Sequence, residues 1–165
     1  MRFIRFAGVS VALLFFAGCA SSLPPKSIGA KPQSITPAWS TPVDVVPLKI
    51  EDGLSQIHFV GQSLDIDLNE YSESLAALVR DSLEQSGVSS AGDGPTIAVQ
   101  VIYIEFLFGG PCLFDYAVKL GDAPRFGQQS AGEKGGLKRA CRAAMEAAVS
   151  QIVADQRTVQ YLGGN

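Results

Sequence analysis

The chain has 165 residues, 13 basic against 16 acidic ones and a formal charge of −3, with no cluster of lysine or arginine. That balance argues against nucleic acid, where neutralised phosphates supply most of the affinity, and against purely electrostatic attachment to a membrane. The positive mean hydropathy is raised by the first twenty residues, and no later apolar run reaches the length of a transmembrane helix.

Arg2 and Arg5 form a short basic start, and Phe6 to Ala17 is a mostly apolar run of signal-peptide length, too short to span a bilayer. The small residues Ala17 and Gly18 stand directly before Cys19. Phe16-Ala17-Gly18-Cys19 resembles the bacterial lipobox, with Phe16 where an aliphatic residue is usual. The resemblance implies cleavage between Gly18 and Cys19, acylation of Cys19 by a palmitate-type chain, and a protein tied by lipid to a membrane. Ala20 rather than Asp after the cysteine implies the outer membrane, with the domain facing the periplasm. The reading that remains beside this one is an ordinary secretory signal. Removing residues 1–18 leaves 147 residues with 11 basic and 16 acidic side chains, a net charge of −5.

Residues 19–42 are rich in proline (Pro24, Pro25, Pro32, Pro37, Pro42) and poor in periodic hydrophobicity, which predicts a semi-extended tether. Trp39 either docks on the domain or sits near headgroups. A single α+β domain is expected over 43–165. Val43 to Ile50 reads as an extended stretch that Pro47 confines to an edge or splits. Gln56 to Val60 and Leu64 to Leu68 read as strands, the second with alternating aspartates. Asn69 is the expected N-cap of an amphipathic helix over Glu70 to Ser86, ended by Gly87.

Thr96 to Phe108 is predicted to be a central strand buried on both faces. Gly109-Gly110-Pro111 turns it into a strand over Cys112 to Leu120, and Phe126 to Ala131 is one more short strand. Glu133 to Gln156 is the second helix, with Leu137, Cys141, Ala144, Ala148 and Ile152 on one stripe. Thr158 to Leu162 reads as a final extended piece. The expected fold is α+β, a largely antiparallel sheet with two amphipathic helices packed on one face.

With Cys19 lipidated, Cys112 and Cys141 remain as an even pair in a compartment that permits disulfides. Both fall on faces that point into the helix–sheet interface, so a bridge is expected, two buried thiols being the alternative.

No catalytic or metal-binding set emerges. Gly127 to Lys134 lacks the Gly-Lys-Ser/Thr order of a phosphate loop, and Glu133 would repel phosphate. Asp65-x-Asp67-x-Asn69 lacks the glycine and the distal glutamate of a calcium loop. The single histidine, His58, has no nucleophile motif to serve. Glu105 is expected to pair with Lys119 across the hairpin or to reach solvent at a strand end.

The order of elements is similar to that of the YajG-type envelope lipoproteins. The likeness rests on the lipobox, the polar segment, Leu75–Gly87, Gly94-Pro95-Thr96-Ile97-Ala98-Val99, and the ending Asp155-Gln156-Arg157-Thr158-Val159-Gln160-Tyr161-Leu162. It implies no catalytic residue and no cofactor. The expected function is a membrane-anchored, non-enzymatic accessory module that binds a partner protein in the periplasm. The alternative is a lipid- or glycan-binding component of an envelope transport system, using a groove between helices and sheet.

Overall fold

The computed structural model describes residues 21–59, 62–90, 92 and 94–163. Gly18 and Cys19, the expected cleavage and lipid sites, lie outside the described residues. In chain order the elements are β1 (Ser21–Ser22), α1 (Pro25–Ile28), β2 (Asp44–Pro47), β3 (Leu54–Phe59), β4 (Gln62–Asp67), α2 (Leu68–Gln85), β5 (Thr96–Phe106), β6 (Cys112–Leu120), β7 (Phe126–Ala131), α3 (Leu137–Ala154) and α4 (Gln156–Tyr161).

The fold is α+β. A four-stranded sheet has the order β2-β5-β6-β7, antiparallel except for the parallel pair β2–β5. One face carries both long helices, α2 over β2 and β5, and α3 over β6 and β7. The alternation of β6 explains the choice of face. Cys112, Phe114, Tyr116, Val118 and Leu120 are buried toward the helices, while Leu113, Asp115 and Lys119 lie half-exposed on the other side. A β3–β4 hairpin, extended by β1, adds Ile57 and Ile66 to the same core. Each fully buried aliphatic side chain contributes on the order of 2 kcal/mol.

Cys112 and Cys141 form the expected disulfide between β6 and α3, with both residues fully buried. Beside it the helix and sheet nearly touch. The Gly132 N–H donates to Cys112 O at 2.9 Å, and a methyl group on Gly132 would collide with the Ala140 carbonyl. Ser130 Oγ donates to Ala144 O at 2.8 Å, so the small residues of α3 let main chains meet.

Several local expectations need correction. The N-cap of α2 is Asp67, whose carboxylate accepts from the N–H groups of Asn69 and Glu70. Asn69 instead uses its amide to bond both backbone groups of Ile50, holding the connection after β2. At the far end, Gly87 has φ +85°, and Gly87 and Val88 donate to the Glu84 and Leu83 carbonyls, which closes α2 as a Schellman motif. Residues 158–161 are helical rather than extended, with Leu162 as the C-cap. Asp155 caps α4, and Thr158 and Leu162, four apart, bury one face of it.

The larger correction concerns the tether. Residues 23–39 form a strap across α2 and α3 instead of a free segment. Leu23, Ile28 and Trp39 are buried in the core. The helices supply polar partners for the strap's backbone. Tyr71 donates to Leu23 O, Arg142 to Ile28 O and Ser86 to Ile35 O, while Ser82 and Glu146 accept from the N–H groups of Gln33 and Lys31. Those bonds remove the need for a regular partner strand or an apolar periodicity. Trp39 is therefore docked on the domain.

Candidate interaction surface

The face of the sheet opposite the helices carries no helix among the described residues. Its centre is small and closed: Ala98, Gln100 and Ala117 are buried, with Arg125 Nη1 donating to Gln100 Oε1 at 2.9 Å. The second half of β5 differs from the expected strand buried on both faces. The register shifts between Val101 and Tyr103, so Ile102 bulges out of the ladder. Ile102 is 48 % exposed, Tyr103 44 % and Leu107 44 %, and Phe108 in the adjoining turn is 76 % exposed. On the other side of β5, where the pairing with β2 has ended, Ser72 of α2 takes over. Its hydroxyl accepts from the Val101 N–H at 2.8 Å and donates to Leu68 O, so no buried donor is left open.

Around the apolar tip the polar residues sit differently than the sequence suggests. Lys119 pairs in register with Ala98 and Glu105 with Leu113, so the two charges are not cross-strand neighbours. Glu105 and Asp115 share the open face with Tyr103, and Gln129 Nε2 donates to Asp115 Oδ1 at 2.6 Å. The result is an exposed aromatic and aliphatic group beside a polar, partly acidic surface.

The two edges of the sheet are unlike. At β2, Pro47 has no N–H to offer, Arg80 Nη2 donates to the Val45 carbonyl at 2.7 Å, and Val43 bonds the Ser89 carbonyl. At β7 the bond from Gly132 N–H to Cys112 O sets the alternation. Phe126, Gln128 and Ser130 turn their backbone groups to β6, and Gly127, Gln129 and Ala131 turn theirs outward. This edge has no proline, lysine or bulge.

A polar chain runs under the inner side of β7. Tyr116 Oη lies 2.9 Å from the side-chain oxygens of Gln128 and Gln151, and Gln128 Nε2 donates to Asp155 Oδ2 at 2.5 Å. Asp155 and Arg157 pair through two side-chain hydrogen bonds, at 2.9 and 2.8 Å, and the guanidinium lies 3.4 Å from the Phe126 ring centroid. Hydrogen bonding to Arg157 holds the Asp155 carboxyl below the usual carboxylate range, against some desolvation. Burial, helped by the Asp155 charge, pushes the Tyr116 phenol far above its ordinary value. A carboxylate kept ionised and a phenol kept protonated thus clasp β6 and β7 to the end of α3 and the start of α4.

His58 faces Ser63 across the β3–β4 hairpin, Nδ1 to Oγ 3.0 Å, both on the exposed side. The aspartates of the calcium-like sequence are dispersed. Asp65 accepts from Gln56 Nε2 and Asp67 caps α2. No group of three or more His, Cys, Asp or Glu side chains suited to a metal occurs among the described residues. The open clefts lie elsewhere. One, of about 510 Å³, runs between the strap and α2, bordered by Pro24, Lys26, Glu70, Glu73, Ser74 and Ala77.

Comparison of the chain with protein-family models, curated proteins and solved structures gave no match.

Proposed function

We propose that the chain is a non-enzymatic envelope lipoprotein, anchored to the outer membrane through Cys19, that docks a partner protein on the open face and tip of the β5–β6 hairpin. The exposed cluster of Ile102, Tyr103 and Leu107 carries this reading. Aromatic and aliphatic anchors with a polar rim are the composition of a protein interface. The buried disulfide suits an oxidising compartment, and the likeness to the lipobox and to YajG-type lipoproteins points the same way.

The lipid- or glycan-binding alternative needs space between helices and sheet. Tyr71, Phe114, Tyr116, Met145 and Ile152 fill that layer and are fully buried, so a protein partner on the outer face fits better. The packed strap also changes the expected reach. Ser21 is only two residues beyond Cys19, so a lipid there holds the domain within about 7 Å of the anchor, at about 3.3 Å per residue.

A photo-crosslinking side chain at Tyr103, in cells carrying the full chain, tests the reading. A single envelope protein crosslinked at Tyr103, but not from the exposed position Glu84 on α2, is the expected result. Lipid adducts alone, or equal labelling from both positions, would contradict it.

A further inference from the structure

We infer that two copies of this chain pair antiparallel along β7, joining their four-stranded sheets into one continuous sheet. The argument starts from the ladder. Only Gly127, Gln129 and Ala131 direct backbone donors and acceptors away from β6, so a strand added here bonds through those three residues. For a symmetric antiparallel pair, the widest overlap puts Gln129 opposite its own copy and Gly127 opposite Ala131 of the second copy. Each of these pairs exchanges two main-chain hydrogen bonds.

That register makes a second match that the strand itself does not require. Arg125, four residues before Gln129, then lies opposite Glu133, four residues after it, on the second copy; pairing there exchanges the bond from Arg125 to Gln100 Oε1 for one to a carboxylate, and the symmetry repeats the pair. Both charges stand at the ends of a neutral strand, Phe-Gly-Gln-Gln-Ser-Ala, so the ends select one register and disfavour a parallel arrangement. Within one chain, and among the described residues, Glu133 makes a long contact of 3.9 Å to Arg139, with both side chains largely exposed, and is available to exchange partners.

The adjoining helix is mostly short-chained along this edge. Ala140 and Ala144 of α3 meet the β7 end, and at 100° per residue the flank beyond them carries Ala143, Ala147 and Ala154, with Ser150 and the exposed Arg139 at its rim. The short side chains leave room for the second copy's helix beside the shared sheet. At the opposite edge, β2 is closed by Pro47 and Arg80, so pairing stops at two copies and does not propagate into a fibre. The two open outer faces become one surface.

The test places cysteine at Gln129, an exposed position, in the full chain within intact envelopes, with copper phenanthroline as oxidant. In this register the two Gln129 Cα atoms come within about 5.5 Å, inside the range a disulfide spans. A covalent dimer is expected as the main product from Gln129→Cys and only in traces from Gln160→Cys, on exposed α4. Arg125→Glu or Glu133→Arg introduced alone should lower the dimer yield severalfold, and the two together should restore it. No dimer from Gln129→Cys, equal yields from both cysteine positions, or indifference to the charge reversals would overturn the inference.

Discussion

The two outer strands of the four-stranded sheet solve the same problem in opposite ways. β2 is short, carries Pro47, and has its outward Val45 carbonyl occupied by Arg80 from α2. β7 is uncharged and free of bulges, and is braced by α3 and the Asp155–Arg157 clasp. An unpaired row of N–H and C=O groups is a template for another chain, and most folds blunt it with charge, proline or a bulge. The difference therefore separates an edge that finishes the fold from an edge left to be used.

Four changes break or sharpen that contrast. The largest effect is expected from replacing Cys112 and Cys141 together by alanine, which detaches the β6–β7 half of the sheet from α3. Loss of a bridge across 29 residues of sequence should cost about 3–4 kcal/mol, read as a lower urea midpoint. Gly132→Ala should cost about 2–3 kcal/mol, because the new methyl pushes β7 off the Ala140 carbonyl. The same substitution at Gly87, where the space is open but φ is +85°, should cost only about 1 kcal/mol. At the other edge, Arg80→Ala should lower stability by about 1 kcal/mol by leaving the Val45 carbonyl to solvent, measured by denaturation.

The smallest effect is a pH dependence at the clasp. The folded Asp155 carboxyl titrates below its unfolded value near 3.9, so its stabilisation is fully present above about pH 4 and fades as pH falls through the lower folded value. Wild type and Asp155→Asn should therefore differ in thermal midpoint at pH 7 and converge in strong acid.

Much of this arrangement was legible in the residues. The stripe of Leu137, Cys141, Ala144, Ala148 and Ile152, facing the alternation from Cys112 to Leu120, leads directly to the disulfide and the helix–sheet layer. Pro47 marks β2 as an edge. The strap was hidden because its partners lie far away in sequence: Ser82, Ser86, Arg142 and Glu146 read as ordinary helix-surface residues until Gln33, Ile35, Ile28 and Lys31 lie against them. Its apolar pegs, Leu23, Ile28 and Trp39, follow no period. The bulge at Ile102 was hidden too, since an unbroken apolar run carries no mark of which residue leaves the ladder. The candidate surface follows from that bulge, and so composition alone made β5 look buried throughout.

Residue-resolved amide hydrogen exchange on the full chain, compared at low and high protein concentration, tests the contrast between the edges most directly. The N–H groups of Phe126, Gln128 and Ser130 should exchange slowly at both concentrations. Those of Gly127, Gln129 and Ala131 should exchange fast when dilute and become protected when concentrated, while the β2 amides stay unchanged. Concentration-independent exchange at Gly127, Gln129 and Ala131, or protection that appears along β2 instead, would contradict the account.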